Sequence, residues 1–265
     1  MNLLSLPIDI HTEIFKNFDT KEIGKMILLS KSSTIILERV IILCKLSINF
    51  KNEQITNFGL EHLKGIHTIN LSCCKQITDS GLEHLKGVHS IDLSGCNQIT
   101  DSGLEHLKGV HSIYLSGCNQ ITDSGLKHLK GVHTINLFWC TQITDLGLSY
   151  LKGVHTINLT WCNQITDSGL EYLKGVHTIN LSYCHQITDS GLKFISADEF
   201  QIDPAHAGSI LKHLERIHCI DLTYCKRITD SGLKYLKGVH TIRLTDCTQI
   251  TDSGLEHLKG SHIIR

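Results

Sequence analysis

Residues 87–108, GVHSIDLSGCNQITDSGLEHLK, decide how this chain folds. The pattern is 22 residues long and recurs, nearly unchanged, from about residue 45 to the C-terminus. A fixed period of this length marks a solenoid, in which one supersecondary unit stacks on the next. Within the copy, Ile91-Asp92-Leu93 alternates as a short strand with one apolar face. Leu104 and Leu107 stand three apart, which suits one apolar stripe on a short helix. Asp101 falls at the start of that helix, Lys108 at its end and Gly109 just beyond, the usual order of acid, base and glycine. Gly103 recurs inside the helix start, where glycine is otherwise unfavourable, and predicts close approach of one helix to the next.

A single unit cannot bury its own apolar face, but stacked units can, with parallel strands about 4.8 Å apart. The pattern L-x-x-L-x-L-x-x-C-x-x-I-T-D-x-G-L resembles the leucine-rich repeat in its cysteine-containing form. The resemblance covers roughly residues 45–265. It implies an α/β solenoid, a horseshoe with parallel strands on the concave side and short helices on the convex side.

Composition narrows the function. The chain has 265 residues, 41% of them hydrophobic and only two of them proline, so an ordered, continuous core is expected. A formal net charge of −1 gives no electrostatic case for nucleic acid or an anionic membrane. No apolar run approaches the roughly 20 residues of a membrane span. The N-terminus MNLLSLPIDIHTEIF lacks the basic n-region of a secretory signal. An intracellular location, cytoplasmic or nuclear, is expected.

Eight of the eleven cysteines, from Cys74 to Cys247, hold one repeat position, and none of them forms a C-x-x-C pair. They read as a column of buried, reduced thiols. Nine histidines, from His67 to His262, hold another position. A ladder of imidazoles could in principle bind zinc, but it lacks the mixed, convergent ligand set of such a site. A structural column is expected, with no metal and no cofactor. Protonation of the ladder below about pH 6.5 would add repulsion and lower stability. There is no G-x-x-x-x-G-K-[ST], G-x-S-x-G or H-E-x-x-H. The chain is read as a non-enzyme.

Residues 1–45 stand outside the repeat. Leu6-Pro7 precedes Ile10, Ile14, Phe15 and Phe18, an amphipathic helix with proline near its start. A second helix carries Ile23, Met26, Ile27 and Leu29 and ends at Ser30-Lys31. These residues, with Asp9 and Asp19, resemble an F-box. The tryptophan that usually follows Ser-Lys in that family is absent; Ser32, Ser33 and Thr34 stand there. The resemblance implies that Leu6, Pro7, Ile10, Ile14, Phe15, Phe18, Ile23 and Leu29 contact the Skp-family adaptor of a cullin complex. The other reading is a helical cap on the solenoid core.

The repeat register is interrupted once. Cys184 and Cys225 are 41 residues apart, one period plus 19, so an insertion occupies about residues 196–214. It is expected to be a loop on the rim or back of the solenoid.

Because the repeats are so alike, their differences carry the information. Asn70, Asp92, Tyr114, Asn136, Asn158, Asn180, Asp221 and Arg243 form one outward-facing column. The column before each Cys changes from Gly95 and Gly117 to Trp139, Trp161, Tyr183 and Tyr224, and Phe138 adjoins Trp139. Exposed aromatics beside polar groups are hot-spot chemistry. A target-binding strip is therefore expected at Tyr114, Asn136, Phe138, Trp139, Asn158, Trp161, Asn180, Tyr183, Asp221, Tyr224 and Arg243. Rings packed on one another as structural ladders are the alternative.

Together the two resemblances are to F-box/leucine-rich-repeat proteins, including those of giant DNA viruses. They imply the substrate-recognition subunit of a cullin-based ubiquitin ligase, with an unidentified protein target. The runner-up is an interaction scaffold with a helical cap and no ligase link. A metal- or ligand-binding solenoid built on the His ladder is third.

Overall fold

The computed structural model describes residues 47–50, 55–196 and 217–265. The F-box-like segment, with Leu6, Pro7, Ile10, Ile14, Phe15, Phe18, Ile23 and Leu29, lies outside the described residues. So does the insertion beyond Ser196. Two compact units make up the chain, residues 1–120 and 121–265.

The first unit contains β1 (Ser47–Asn49), β2 (Thr68–Asn70), β3 (Ser90–Asp92) and β4 (Ser112–Tyr114), parallel and side by side in chain order. The second contains β5 (Thr134–Asn136), β6 (Thr156–Asn158), β7 (Thr178–Asn180), β8 (Cys219–Asp221), β9 (Thr241–Arg243) and β10 (His262–Ile264), arranged the same way. This is a leucine-rich-repeat solenoid, as the period predicts. Register is carried by the repeat itself: Ile69 pairs with Ile91 and Ile157 with Ile179. The insertion does not disturb it, since Ile179 pairs with Ile220. Each strand from β1 to β9 buries its central isoleucine and leaves the two flanking residues on the outer sheet face.

The return segment is shorter than a regular helix. In the first unit it is α1 (Asn57–Glu61), α2 (Asp79–Leu82) and α3 (Asp101–Leu104). In the second it is α4 (Asp123–Leu126), α5 (Asp145–Leu148), α6 (Asp167–Leu170), α7 (Asp189–Ile195), α8 (Asp230–Leu233) and α9 (Asp252–Leu255). Most are one α-turn that tightens into a 3₁₀ turn, such as Glu105–Leu107 after α3. An isolated turn of this length has no stability of its own. It persists because its leucines pack inward: Leu104 and Leu107 are buried, with Val88, Ile91, Leu93, Cys96 and Ile99 of the same repeat. These seven buried side chains fill the space between the strand and the turn of their repeat.

The acid at each turn does more than face its own helix. Asp145 Oδ1 accepts from Thr166 N–H at 2.8 Å, and its Oδ2 accepts from Thr166 Oγ1 at 2.5 Å, one repeat further on. Thr166 in turn caps α6 by accepting from Ser168 N–H. The same relay joins Asp167 to Thr188 and, across the insertion, Asp189 to Thr229. Close approach of neighbouring turns is the reason for the internal glycine. A Cβ on Gly169 would lie 2.3 Å from Asp145 Oδ1.

Candidate functional site

Each strand ends in a turn, and the turn explains the polar column beside it. Asn158 Oδ1 accepts from Thr160 N–H at 2.9 Å and from Thr160 Oγ1 at 2.7 Å. Asn180 does the same with Ser182, and Asp221 with Thr223. Asn136 accepts from Phe138 N–H. These are Asx turns, a local use of Asn and Asp that fixes the chain as it leaves the sheet. One oxygen of each Asn or Asp in the expected polar row is therefore committed to the fold. The remaining edge of each faces the outer sheet surface, where Asn180 Nδ2 reaches Asp221 Oδ2 at 3.5 Å. Tyr114 and Arg243 occupy the same column without an Asx acceptor, and both are exposed.

One residue further on, the backbone becomes left-handed in every described repeat. Gly95 and Gly117 have φ of 72° and 71°. Cys73, Trp139, Trp161, Tyr183, Tyr224 and Asp246 take φ between 58° and 64° at the same position. Glycine is the natural occupant, and a bulky side chain there costs about 1–2 kcal/mol. In the second unit four consecutive copies accept that cost.

Stacking recovers part of it. Trp161 stacks on Tyr183 with ring centroids 4.4 Å apart, and Tyr183 stacks on Tyr224 at 4.5 Å. Such pairs contribute about 0.5–1.5 kcal/mol each, so two contacts offset less than three strained residues lose. His185 stands edge-on to Trp161 and Tyr183 at 6.0 and 6.3 Å. Lys226 lies 5.9 Å from the Tyr224 ring. The Tyr224 hydroxyl donates to Asp246, which holds the phenol above its usual range.

Trp139 has no such return. No ring among the described residues stacks on it, and it is 55% exposed. Phe138 and Trp161 are each 37% exposed. The structure thus brings Trp161, Tyr183 and Tyr224 together as one stack, with Trp139 and Phe138 beside it and unstacked. Asp246 continues the same column after Tyr224. His185 and Lys226 are neighbours of the rings that the column does not reveal; their signal is positional, since each follows a ladder cysteine.

The two ladders pack into the stack of repeats. Cys162 Sγ donates to Leu137 O, Cys184 to Leu159 O and Cys225 to Leu181 O, each a carbonyl one repeat back. Burial pushes the Cys96, Cys162 and Cys225 thiols up to about 12, which makes them poor nucleophiles. Imidazoles stack within each unit, at 4.6 Å for His67 and His89 and 4.4 Å for His133 and His155. Nδ1 of His133 and of His155 lies 3.2 Å from the hydroxyl of the next threonine. Among the described residues no group of three or more His, Cys, Asp or Glu is placed to hold a metal ion. No described helix is long and apolar enough to cross a membrane.

Comparison with known proteins agrees with this geometry. The leucine-rich-repeat family model matches residues 66–86, 88–108, 110–130, 154–174, 176–196 and 217–237. With the parallel strands and short turns above, these matches show the leucine-rich-repeat fold. No curated protein matches the sequence. Among solved structures, internalin C2 of Listeria monocytogenes is 25% identical, with a TM-score of 0.53 over 80% of this chain and 84% of that chain. A second Listeria monocytogenes internalin is 19% identical, with a TM-score of 0.53 over 99% and 94%. The Toll–Spatzle complex of Drosophila is 11% identical at a TM-score of 0.53, covering 86% of this chain and 34% of that one. These likenesses show the fold. It is a fold typically used as a non-enzymatic protein-binding scaffold.

Proposed function

We propose that this protein is the substrate-recognition subunit of a cullin-based ubiquitin ligase. In this reading the rim of aromatic residues in the second unit receives a target protein. The F-box-like segment at residues 1–45 engages a Skp-family adaptor, and other subunits perform ubiquitin transfer. The observation that carries the binding half is the left-handed column. Trp139, Trp161, Tyr183 and Tyr224 stand where Gly95 and Gly117 show that glycine serves the fold. Their rings are retained at a cost that stacking does not cover, and surface strain of this kind is characteristic of functional positions. Large, rigid, exposed aromatics are also the side chains that anchor protein interfaces.

The ligase half rests on the F-box resemblance of Leu6-Pro7, Ile14-Phe15 and Ser30-Lys31. Co-purification of the full chain with a Skp-family adaptor tests it, with Ile14→Asp/Phe15→Asp as the control. Retention by the parent and loss in the variant supports the receptor. A folded parent that binds no adaptor leaves a protein-binding scaffold whose residues 1–45 cap the solenoid.

A further inference from the structure

The outer sheet face of the first unit carries a shallow depression of about 300 Å³, set between Asn49 on β1 and Tyr114 on β4. Thr68, Asn70, Ser90 and Asp92 line its floor. Strand pairing fixes their order: Asn49 faces Asn70, Asn70 faces Asp92 and Asp92 faces Tyr114. The four residues therefore form one row at strand spacing, about 4.8 Å from each to the next.

Two members of the row depart from the repeat. The corresponding residue is asparagine at positions 70, 136, 158 and 180. Asp92 preserves the local turn, accepting from Ser94 N–H at 2.9 Å through Oδ1. Its second oxygen has no hydrogen-bond partner among the described residues, and no described cation pairs with it. Asparagine would close the turn equally well, so the charge is surplus to the fold. Tyr114 gives up the Asx turn altogether and is 37% exposed. A negative carboxylate and an exposed phenol ring thus stand side by side. Apart from that phenol, Asp92 is the one ionisable group in the lining.

We propose that this depression binds an arginine side chain presented by a protein partner. A guanidinium is planar and always charged. It can lie against the Tyr114 ring while its N–H fork points at the unused Asp92 oxygen. The hydroxyls of Thr68 and Ser90 supply further acceptors to the same fork. Lysine would satisfy the charge as a point but would leave the ring face and the fork geometry unused. The inference rests on the reading that the protein docks other proteins. It does not depend on the ligase half of that reading or on the aromatic rim of the second unit.

The repeat supplies its own folding controls. Asp92→Asn and Tyr114→Asn each install the residue found at the same position in neighbouring repeats, where it is compatible with the turn. The full chain, labelled with nitrogen-15, would be titrated with N-acetyl-arginine amide and followed by amide chemical shifts. Saturable shifts confined to β2, β3 and β4 are expected. Asp92→Asn and Tyr114→Asn should each weaken them by at least about tenfold. The neutral citrulline counterpart should not bind, and Trp139→Gly should leave the titration unchanged. Shifts that are absent, spread over the whole surface, equal for citrulline, or unaffected by Asp92→Asn would overturn the proposal. A failed target interaction in Trp139→Gly with an intact arginine titration would count against the aromatic rim alone.

Discussion

Asp145 and Thr166 are joined by two hydrogen bonds, with Thr166 N–H and Oγ1 donating to the two oxygens of one carboxylate at 2.8 and 2.5 Å. The pair links one repeat to the next, and Gly169 leaves the room in which it forms. The first repeat shows what an amide does in the same place. Asn57 Nδ2 donates to Thr78 Oγ1 at 2.7 Å, and the Thr78 hydroxyl then makes no cap to its own helix.

Asp145→Ala is therefore expected to destabilise the fold by about 1–3 kcal/mol, because two donors lose their acceptor. Asp145→Asn should fall between parent and alanine, since the link survives and the cap is lost. Gly169→Ala should cost about 1–3 kcal/mol by forcing a Cβ onto the carboxylate. Urea unfolding of the three variants checks the order.

The left-handed column predicts an unusual stability pattern. Trp139→Gly should lie within about 1 kcal/mol of the parent, because relief of backbone strain balances the entropy of glycine. Trp139→Ala keeps the Cβ at φ 58° and should be the less stable of the two. Thermal unfolding of both variants decides it; alanine more stable than glycine would remove the strain argument.

Thiol chemistry should divide sharply. Cys162 and Cys225 are buried, their thiols pushed up to about 12. Near pH 8 they should resist alkylation in the native protein. Cys73 is exposed and should react first among the described cysteines. Cys219 is half-buried, and burial raises its thiol, so it should react slowly. Peptide mass spectrometry after a timed pulse reads the pattern, and labelling of the ladder cysteines should require denaturant.

Acid should act through the carboxylate of Asp230. Hydrogen bonding from the Thr251 hydroxyl holds it below its usual range. A depressed folded value means its contribution is present above the unfolded carboxylate value, about 3.9, and is lost as pH falls through the folded one. Asp230→Asn should therefore lose less stability than the parent as pH falls below about 4. Equal losses in parent and variant, read by melting temperature against pH, would contradict this.

Much of the fold was legible because each repeat writes it again. The isoleucine inside each strand, the buried cysteine and the close approach at the internal glycine all follow from local spacing. Three features did not. Asp145 reads locally as a helix N-terminal acid, yet its partner is Thr166, 21 residues on; a pairing between stacked units leaves no mark on local periodicity. The asparagine column reads as an outward polar row, although Asn158 also closes a turn with Thr160 two residues later. The change from Gly117 to Trp139 was visible, but that the position is left-handed is a backbone property that only the folded turn reveals. The aromatic residues of the proposed site stand out in the sequence by that change, while the split into a three-ring stack and an unstacked Trp139 does not.

The most direct test of the aromatic rim compares the parent with Trp139→Gly/Trp161→Gly for binding of one purified target. The two proteins would first be matched for thermal stability. The account predicts that the double variant loses the target by at least about tenfold, close to 1.4 kcal/mol, while its fold and any adaptor binding are retained. A double variant that folds and binds the target as tightly as the parent would contradict it.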